Sequence, residues 1–394
     1  MAFALPDIYN VETGKVVLMA MGFDPYLLEL NPYIGAYYSI IESVTKIVAL
    51  GGDFSKVRLS LQEYFGKTNS SEKWGIVTSA LLGALQAEMD LGIPAIGGKD
   101  SMSGTFKNID VPPTLISFAV SVEDEEKIIP SNFMKVNSNL FLLYTPMKEN
   151  MLLDEDILKE NFRFFKFLVD NKNIISSRTI RSYSFKEALA KSSFGNKIGF
   201  SLEFNDNNDF NNDKEKISVK KFNLLKNARF GSIIFETYLT EEQLFEQYLK
   251  FKTKVLLSDD LLKKESSNII NKKENEQEKI RDIKKIKDSF NCRLIYLGKT
   301  IEDKEIHIIE KDIEKNIAKE SFENEILEKY KIENGESEKF ILKKYLIDDL
   351  IETANLPLKD IFPIKDDINP SYNIEEIQKI LNKLEYKRKD FNIS

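Results

Sequence analysis

Twelve of the 17 glycines in this 394-residue chain fall between Gly14 and Gly104. Glycine is the residue of left-handed turns and of close backbone approach. The first quarter of the chain therefore holds most of the tight connections that a compact α/β unit or a phosphate-cradling loop requires. The glycine-poor remainder has to turn through longer polar segments. A length of 394 residues fits two or three domains with a substantial core.

Counting excludes several chemistries. With one cysteine, Cys292, and one histidine, His307, the chain has too few members for internal disulfides, structural zinc sites, His-centred triads or Cys–His dyads. Basic residues number 56 against 63 acidic ones, for a net charge of −7. That balance gives no general affinity for nucleic acid. The opening Met-Ala-Phe-Ala-Leu-Pro lacks the basic flank and apolar run of a signal peptide. No run approaches the roughly 18 apolar residues of a membrane span. A cytoplasmic location with no membrane partner is the expectation.

Hydrophobic spacing predicts an interleaved order of strands and helices. Val16–Ala20 reads as a strand, and Tyr37, Ile40, Ile41, Val44, Ile47 and Val48 recur at helical spacing up to the Gly51-Gly52 pair. Val57–Leu61 alternates like a half-buried strand. A second helix carries Val77, Ala80, Leu81, Ala84, Leu85 and Met89 on one face and stops at Gly92, and Thr114–Val120 reads as a buried strand. The fold class is α/β (α+β): a sheet-plus-helix N-terminal domain over 1–137, an α/β companion domain over 138–320, and a helical linker over 321–394. In the companion, strands are expected at Leu140–Tyr144, Gly195–Phe204, Ser232–Thr237, Leu294–Leu297 and Glu305–Ile309, and helices at Asp154–Asn171 and Ser184–Ser193. Asn205–Lys216 and Asp259–Asp288, the latter with 17 charges in 30 residues, read as solvated insertions. Tyr37, Tyr38, Phe162, Phe164, Phe165 and Phe167 are expected in the core or an interface, and Trp74 as a cap packed on its helix.

Gly97-Gly-Lys-Asp-Ser101 is the segment that carries chemistry. Two glycines let backbone approach an anion, Lys99 offers a point charge for phosphate, Asp100 can hold a divalent cation and Ser101 adds a small donor. The spacing is not that of a Walker A loop. The residues alone leave open a plain strand-ending turn. Glu63 can point either into this cleft or away from it.

The stretch Asn31-Pro-Tyr-Ile-Gly-Ala, then Ile41-Glu-Ser-Val-Thr-Lys-Ile-Val-Ala-Leu-Gly-Gly-Asp53, Val57–Phe65, and above all Leu91-Gly-Ile-Pro-Ala-Ile-Gly-Gly-Lys-Asp-Ser-Met-Ser-Gly-Thr-Phe106 with Val111–Val120, resembles phosphoribosylformylglycinamidine synthase. The match is to the second synthetase half of the large single-chain form, each half being similar to aminoimidazole ribonucleotide synthetase. It continues more thinly through Phe194–Phe200 and Leu297–Lys304 to Leu358–Pro363.

The resemblance implies an ATP-dependent ligase of purine biosynthesis with ATP and Mg2+ as cofactors and formylglycinamide ribonucleotide as substrate. It implies Gly98 and Lys99 at the nucleotide, Asp100 at the metal and Ser101 at the substrate. It further implies a second nucleotide site where magnesium is held by a helix carboxylate, matched by Glu42, and an amide one turn on. Lys46 stands at the amide position, and Ser182-Tyr-Ser-Phe-Lys-Glu replaces an acidic Gly-Gly turn, so this auxiliary site is expected to be degenerate. The resemblance also implies a catalytic His in a first synthetase half and a Cys nucleophile in a glutaminase domain. Neither His307 nor Cys292 matches them, so no catalytic residue is assigned in this chain, and the sequence is expected to be a segment needing both partners. The implied fold pairs its first sheet with a partner half, which predicts an exposed apolar face on Val16–Ala20 and Val57–Leu61 and hence either a homodimer or poor solubility of the chain alone. The competing reading is an inactive structural or interaction module. A self-sufficient relative, similar to selenophosphate synthetase or thiamine-phosphate kinase, would need an Asp-rich loop that residues 1–35 lack.

Overall fold

The computed structural model of the chain describes residues 1–4, 13–181, 185–202, 229–264, 286–290, 293–311 and 340–359. Met1–Ile347 forms one compact unit and Asp348–Ser394 a second. Cys292, Asn205–Lys216, residues 265–285 of the charged insertion and the turn beginning at Ser182 lie outside the described residues.

The first sheet has five strands, β1 (Ala2–Ala4), β2 (Lys15–Gly22), β3 (Arg58–Tyr64), β4 (Ala95–Lys99) and β7 (Thr114–Asp124), in the order β1-β2-β7-β3-β4. All neighbours are antiparallel except β3 and β4. A parallel pair needs a crossover, and helix α3 (Ser71–Leu91) supplies it, so β3, α3 and β4 form a βαβ unit. A short hairpin of β5 (Thr105–Phe106) and β6 (Ile109–Asp110) follows. The expected strands at Val16–Ala20, Val57–Leu61 and Thr114–Val120 are all present, each longer than the apolar core that announces it.

After a short helix α1 (Pro25–Leu30), helix α2 (Pro32–Ala49) lies across the sheet and is buried along nearly its whole length. Its start follows from Asn31, whose side-chain oxygen accepts the Ile34 N–H at 3.1 Å, and from Pro32 in the first turn. Gly51, at φ +99°, turns the chain after it. Contact with β2 and β7 on one side and with α3 and β9 (Ser176–Thr179) on the others explains the burial.

Helix α3 corrects the expected inward face. Val77, Ala80, Gly83, Ala84, Ala87 and Leu91 are buried, while Leu81, Leu85 and Met89 are 43%, 50% and 69% exposed. The cause is close packing. A Cβ on Gly83 would stand 2.0 Å from the Tyr33 carbonyl oxygen, so α3 meets α2 along its small residues and turns its bulky ones outward. Trp74 also departs from expectation: it lies within the first turns of α3, which is capped by Ser70, and is 49% exposed.

The second sheet has the order β14-β13-β10-β12-β8-β11-β9. Its further strands are β8 (Asn139–Leu143), β10 (Gly199–Leu202), β11 (Ile233–Thr237), β12 (Leu294–Ile301), β13 (Glu305–Lys311) and β14 (Phe340–Leu346). Helices α4 (Glu155–Asp170), α5 (Phe185–Phe194) and α6 (Glu241–Lys264) accompany it. Phe162, Phe164 and Phe165 are buried and Phe167 packs against the same core, as expected. The expected helical character beyond Ser321 does not hold at β14, which pairs with β13 over seven residues. Helix α7 (Ile347–Lys359) follows.

Candidate functional site

The Gly97–Ser101 loop is built as the outermost strand of the first sheet and its continuation. Ser60, Leu61 and Gln62 of β3 pair with Gly97, Gly98 and Lys99. Beyond β4, the Ser101 N–H donates to the Glu63 carbonyl at 2.9 Å, and the Ser101 carbonyl accepts the Phe65 N–H at 2.8 Å. The two glycines differ in their surroundings. A Cβ on Gly98 would stand 2.3 Å from the Leu61 carbonyl oxygen, whereas one on Gly97 would meet nothing within 4 Å. Gly98 is needed for strand contact, and Gly97 leaves open backbone that a ligand can approach.

Ile96 through Asp100 are exposed, and Ser101 is half-buried. The Lys99 ammonium stands 5.1 Å from the centre of the Tyr64 ring, a cation–π contact that steadies the side chain while leaving its charge available. Glu63, whose direction the sequence leaves open, turns to the buried side of β3. Burial first, and then the charge of Asp100, push its carboxyl above the usual range. Asp100 is thus the exposed carboxylate of the loop, with Glu63 buried beneath it.

Glu42 occupies a different part of the same end of the sheet. Gly22, Ser117, Leu61 and Gly98 form one row across β2, β7, β3 and β4. Glu42 bonds to the residue just after Gly22, accepting the Phe23 N–H at 3.1 Å. Three strand spacings, roughly 14 Å, therefore separate its anchor from the loop. Its other oxygen receives Lys46 Nζ at 2.7 Å and Arg181 Nε at 2.6 Å. Arg181 carries no signal in the sequence, because nothing local links it to a helix 139 residues earlier.

The face of the first sheet away from α2 carries Val17, Met19 and Met21 of β2 beside Ile116, Phe118, Val120 and Val122 of β7. Met19, Met21 and Val122 are 40%, 46% and 46% exposed. The expected apolar face is thus present on β2. On β3 it is absent, since Val57, Leu59 and Leu61 point to the core and Arg58, Ser60 and Gln62 lie on the open side. His307 lies in β13 and bonds to Glu305 at 2.9 Å, away from the loop's sheet. Among the described residues, no group of three His, Cys, Asp or Glu forms a metal site, and no helix is long and apolar enough to cross a membrane.

No protein-family model matches the chain. It is similar to the phosphoribosylformylglycinamidine synthase subunit PurL of Thermoplasma volcanium, 24% identical over 207 residues that make up 49% of this chain and 27% of that protein. The PurL subunit of Picrophilus torridus is 23% identical over 245 residues, 58% of this chain and 31% of that protein. That of Methanosarcina mazei is 26% identical over 139 residues, 34% and 19% of the two chains. The chain therefore spans less than a third of the length of these relatives. Among solved structures, Thermotoga maritima PurL complexed with ATP aligns with 74% of this chain and 41% of its own, at 11% identity and a TM-score of 0.49. The same PurL complexed with FGAR aligns with 86% and 52%, at 11% identity and a TM-score of 0.49.

Proposed function

We propose, from the premise that this chain is a PurL-like protein, that it supplies one synthetase half of a phosphoribosylformylglycinamidine synthase. The observation that carries the reading is the Gly97–Ser101 loop, which combines open glycine backbone, an available lysine charge, an exposed carboxylate and a small hydroxyl within five residues at one sheet edge. In this reading Gly98 and Lys99 serve the ATP phosphates, with the open backbone of Gly97 beside them, Asp100 the Mg2+ and Ser101 formylglycinamide ribonucleotide. The reaction transfers the γ-phosphoryl group of ATP to the substrate amide oxygen, and ammonia then displaces phosphate to give the amidine and inorganic phosphate. Lys99 would offset charge on the phosphoryl group as it moves, and the loop backbone would fix its orientation. Magnesium, when bound, would neutralise phosphate charge.

The catalytic histidine and the supply of ammonia are assigned to a first synthetase half and a glutaminase. The open face of β2 and β7 is the surface that a partner half would cover. Mixing the chain with a matching first half, ATP, magnesium and ammonium should yield amidine, and a folded mixture without turnover would refute the proposal. A second reading, a structural module without turnover, is favoured by Glu42, whose oxygens are already taken by Lys46, Arg181 and the Phe23 N–H.

A further inference from the structure

The magnesium that the sequence resemblance associates with a helix carboxylate can be tested against the surroundings of Glu42. Its side chain is 1% exposed. One carboxylate oxygen accepts the Phe23 N–H at 3.1 Å, and the other receives Lys46 Nζ at 2.7 Å and Arg181 Nε at 2.6 Å. Lys46 is held from a second side as well, donating to the Met21 carbonyl at 2.6 Å. Magnesium requires oxygen ligands at roughly 2.1 Å in near-octahedral array. An ion bound to Glu42 would meet two positive groups already within hydrogen-bonding distance of its ligand. The residues present do not fit the metal.

We infer that Glu42 anchors a permanent cation clamp in this chain, in which the Lys46 ammonium and the Arg181 guanidinium stand in place of a divalent ion and fasten helix α2 to the segment that follows β9. A second tie supports the geometry. Ser177 Oγ donates to the Ala49 carbonyl at 2.6 Å, so β9 and its continuation are bonded to α2 at two points. The seven helical steps from Glu42 to Ala49 span about 10 Å, and the four steps from Ser177 to Arg181 span up to about 13 Å. The two spans match closely enough for both ties to form together. The clamp joins the helix of the first sheet to the edge strand of the second without help from any ligand. It holds or fails independently of whether the chain takes part in turnover.

The test counts Mn2+ bound by the whole chain, from loss of the free-ion electron paramagnetic resonance signal, in wild type and in Glu42→Gln. Any ion at Asp100 is common to both, so equal counts are expected, and one more Mn2+ per wild-type chain would overturn the inference. In parallel, Lys46→Met and Arg181→Gln should each lower Tm by about 5 °C or more in EDTA, because each leaves a buried carboxylate short of a partner. Unchanged Tm in both variants would also overturn it, and this arm decides the matter should Glu42→Gln fail to fold.

Discussion

The Ser101 amide donates to the Glu63 carbonyl oxygen at 2.9 Å, which carries the β3 ladder past the last residue of β4 and holds the end of the Gly-Gly-Lys-Asp-Ser loop against the sheet. The loop is thereby an extension of the scaffold, and substitutions in it separate contacts to the sheet from contacts to a ligand.

The two glycines provide the first such separation. A methyl on Gly98 forces β4 away from the Leu61 carbonyl, 2.3 Å from the new atom, and Gly98→Ala should destabilise by about 1–3 kcal/mol. Gly97→Ala meets nothing within 4 Å and should keep the wild-type Tm while weakening ATP binding in calorimetric titration. Equal loss of Tm in the two variants would contradict the division.

Lys99 and Asp100 are exposed, so Lys99→Ala and Asp100→Ala should fold normally. Each should weaken magnesium-dependent ATP binding about 10- to 100-fold, the scale of a lost charge-assisted contact. Binding that persists undiminished in both would show that the nucleotide does not sit on this loop.

Glu63 makes a prediction in pH. Its carboxyl is raised by burial and by Asp100, so between the unfolded and folded pKa values the native chain binds more protons than the unfolded one. Its contribution to stability therefore falls as pH rises from about 4.5 through the folded value. Glu63→Gln should raise Tm at pH 7 and have little effect at pH 4; a constant difference across that range would be inconsistent with the titration.

Glu123 behaves in the opposite sense. Burial pushes its carboxyl up, but the Lys166 hydrogen bond, the Asp124 N–H and the charges of Lys166 and Lys127 outweigh this and hold it below its ordinary value. The resulting stability is complete above the unfolded pKa and is lost as pH falls through the folded one. Lys166 Nζ lies 2.6 Å from Glu123, which is 3% exposed. Lys166→Met should cost about 3–5 kcal/mol at neutral pH, read from urea unfolding, and the cost should shrink in acid.

The open face of β2 and β7 should make the isolated chain self-associate. Light scattering should report a mass that rises with concentration, and Met19→Lys combined with Phe118→Glu should abolish the rise. A monomeric wild-type chain at all concentrations would mean that this face needs no partner.

Much of this arrangement is legible in the sequence, and the exceptions have physical causes. Helix α2 is evident because Ile40, Val44, Ile47 and Val48 repeat at helical spacing up to a Gly-Gly stop, although it begins at Pro32, more than a turn before the first of the apolar repeats. The buried face of α3 is only half evident: Val77, Ala80 and Ala84 lie on it as expected, but Gly83 and Ala87 take the places given to Leu81, Leu85 and Met89, because small residues let α2 approach closely. Strand β14 is disguised by lysines between its apolar residues, and its seven-residue pairing with β13 decides the matter. At the site, Gly98, Lys99, Asp100 and Ser101 announce themselves as one contiguous motif. Arg181 does not, since its bond to Glu42 depends on how two distant segments meet.

Strand β4 closes its sheet on one side and is joined by a single ladder, to β3. The loop thus sits at a margin of the sheet that one ladder holds, and β2, β7 and β3 are paired with one another independently of β4. Ligand capture can stiffen this rim without straining the rest of the sheet. Amide hydrogen exchange would then slow in the loop alone, and the molecule's response to its ligand would be a local hardening at the margin of an otherwise indifferent scaffold.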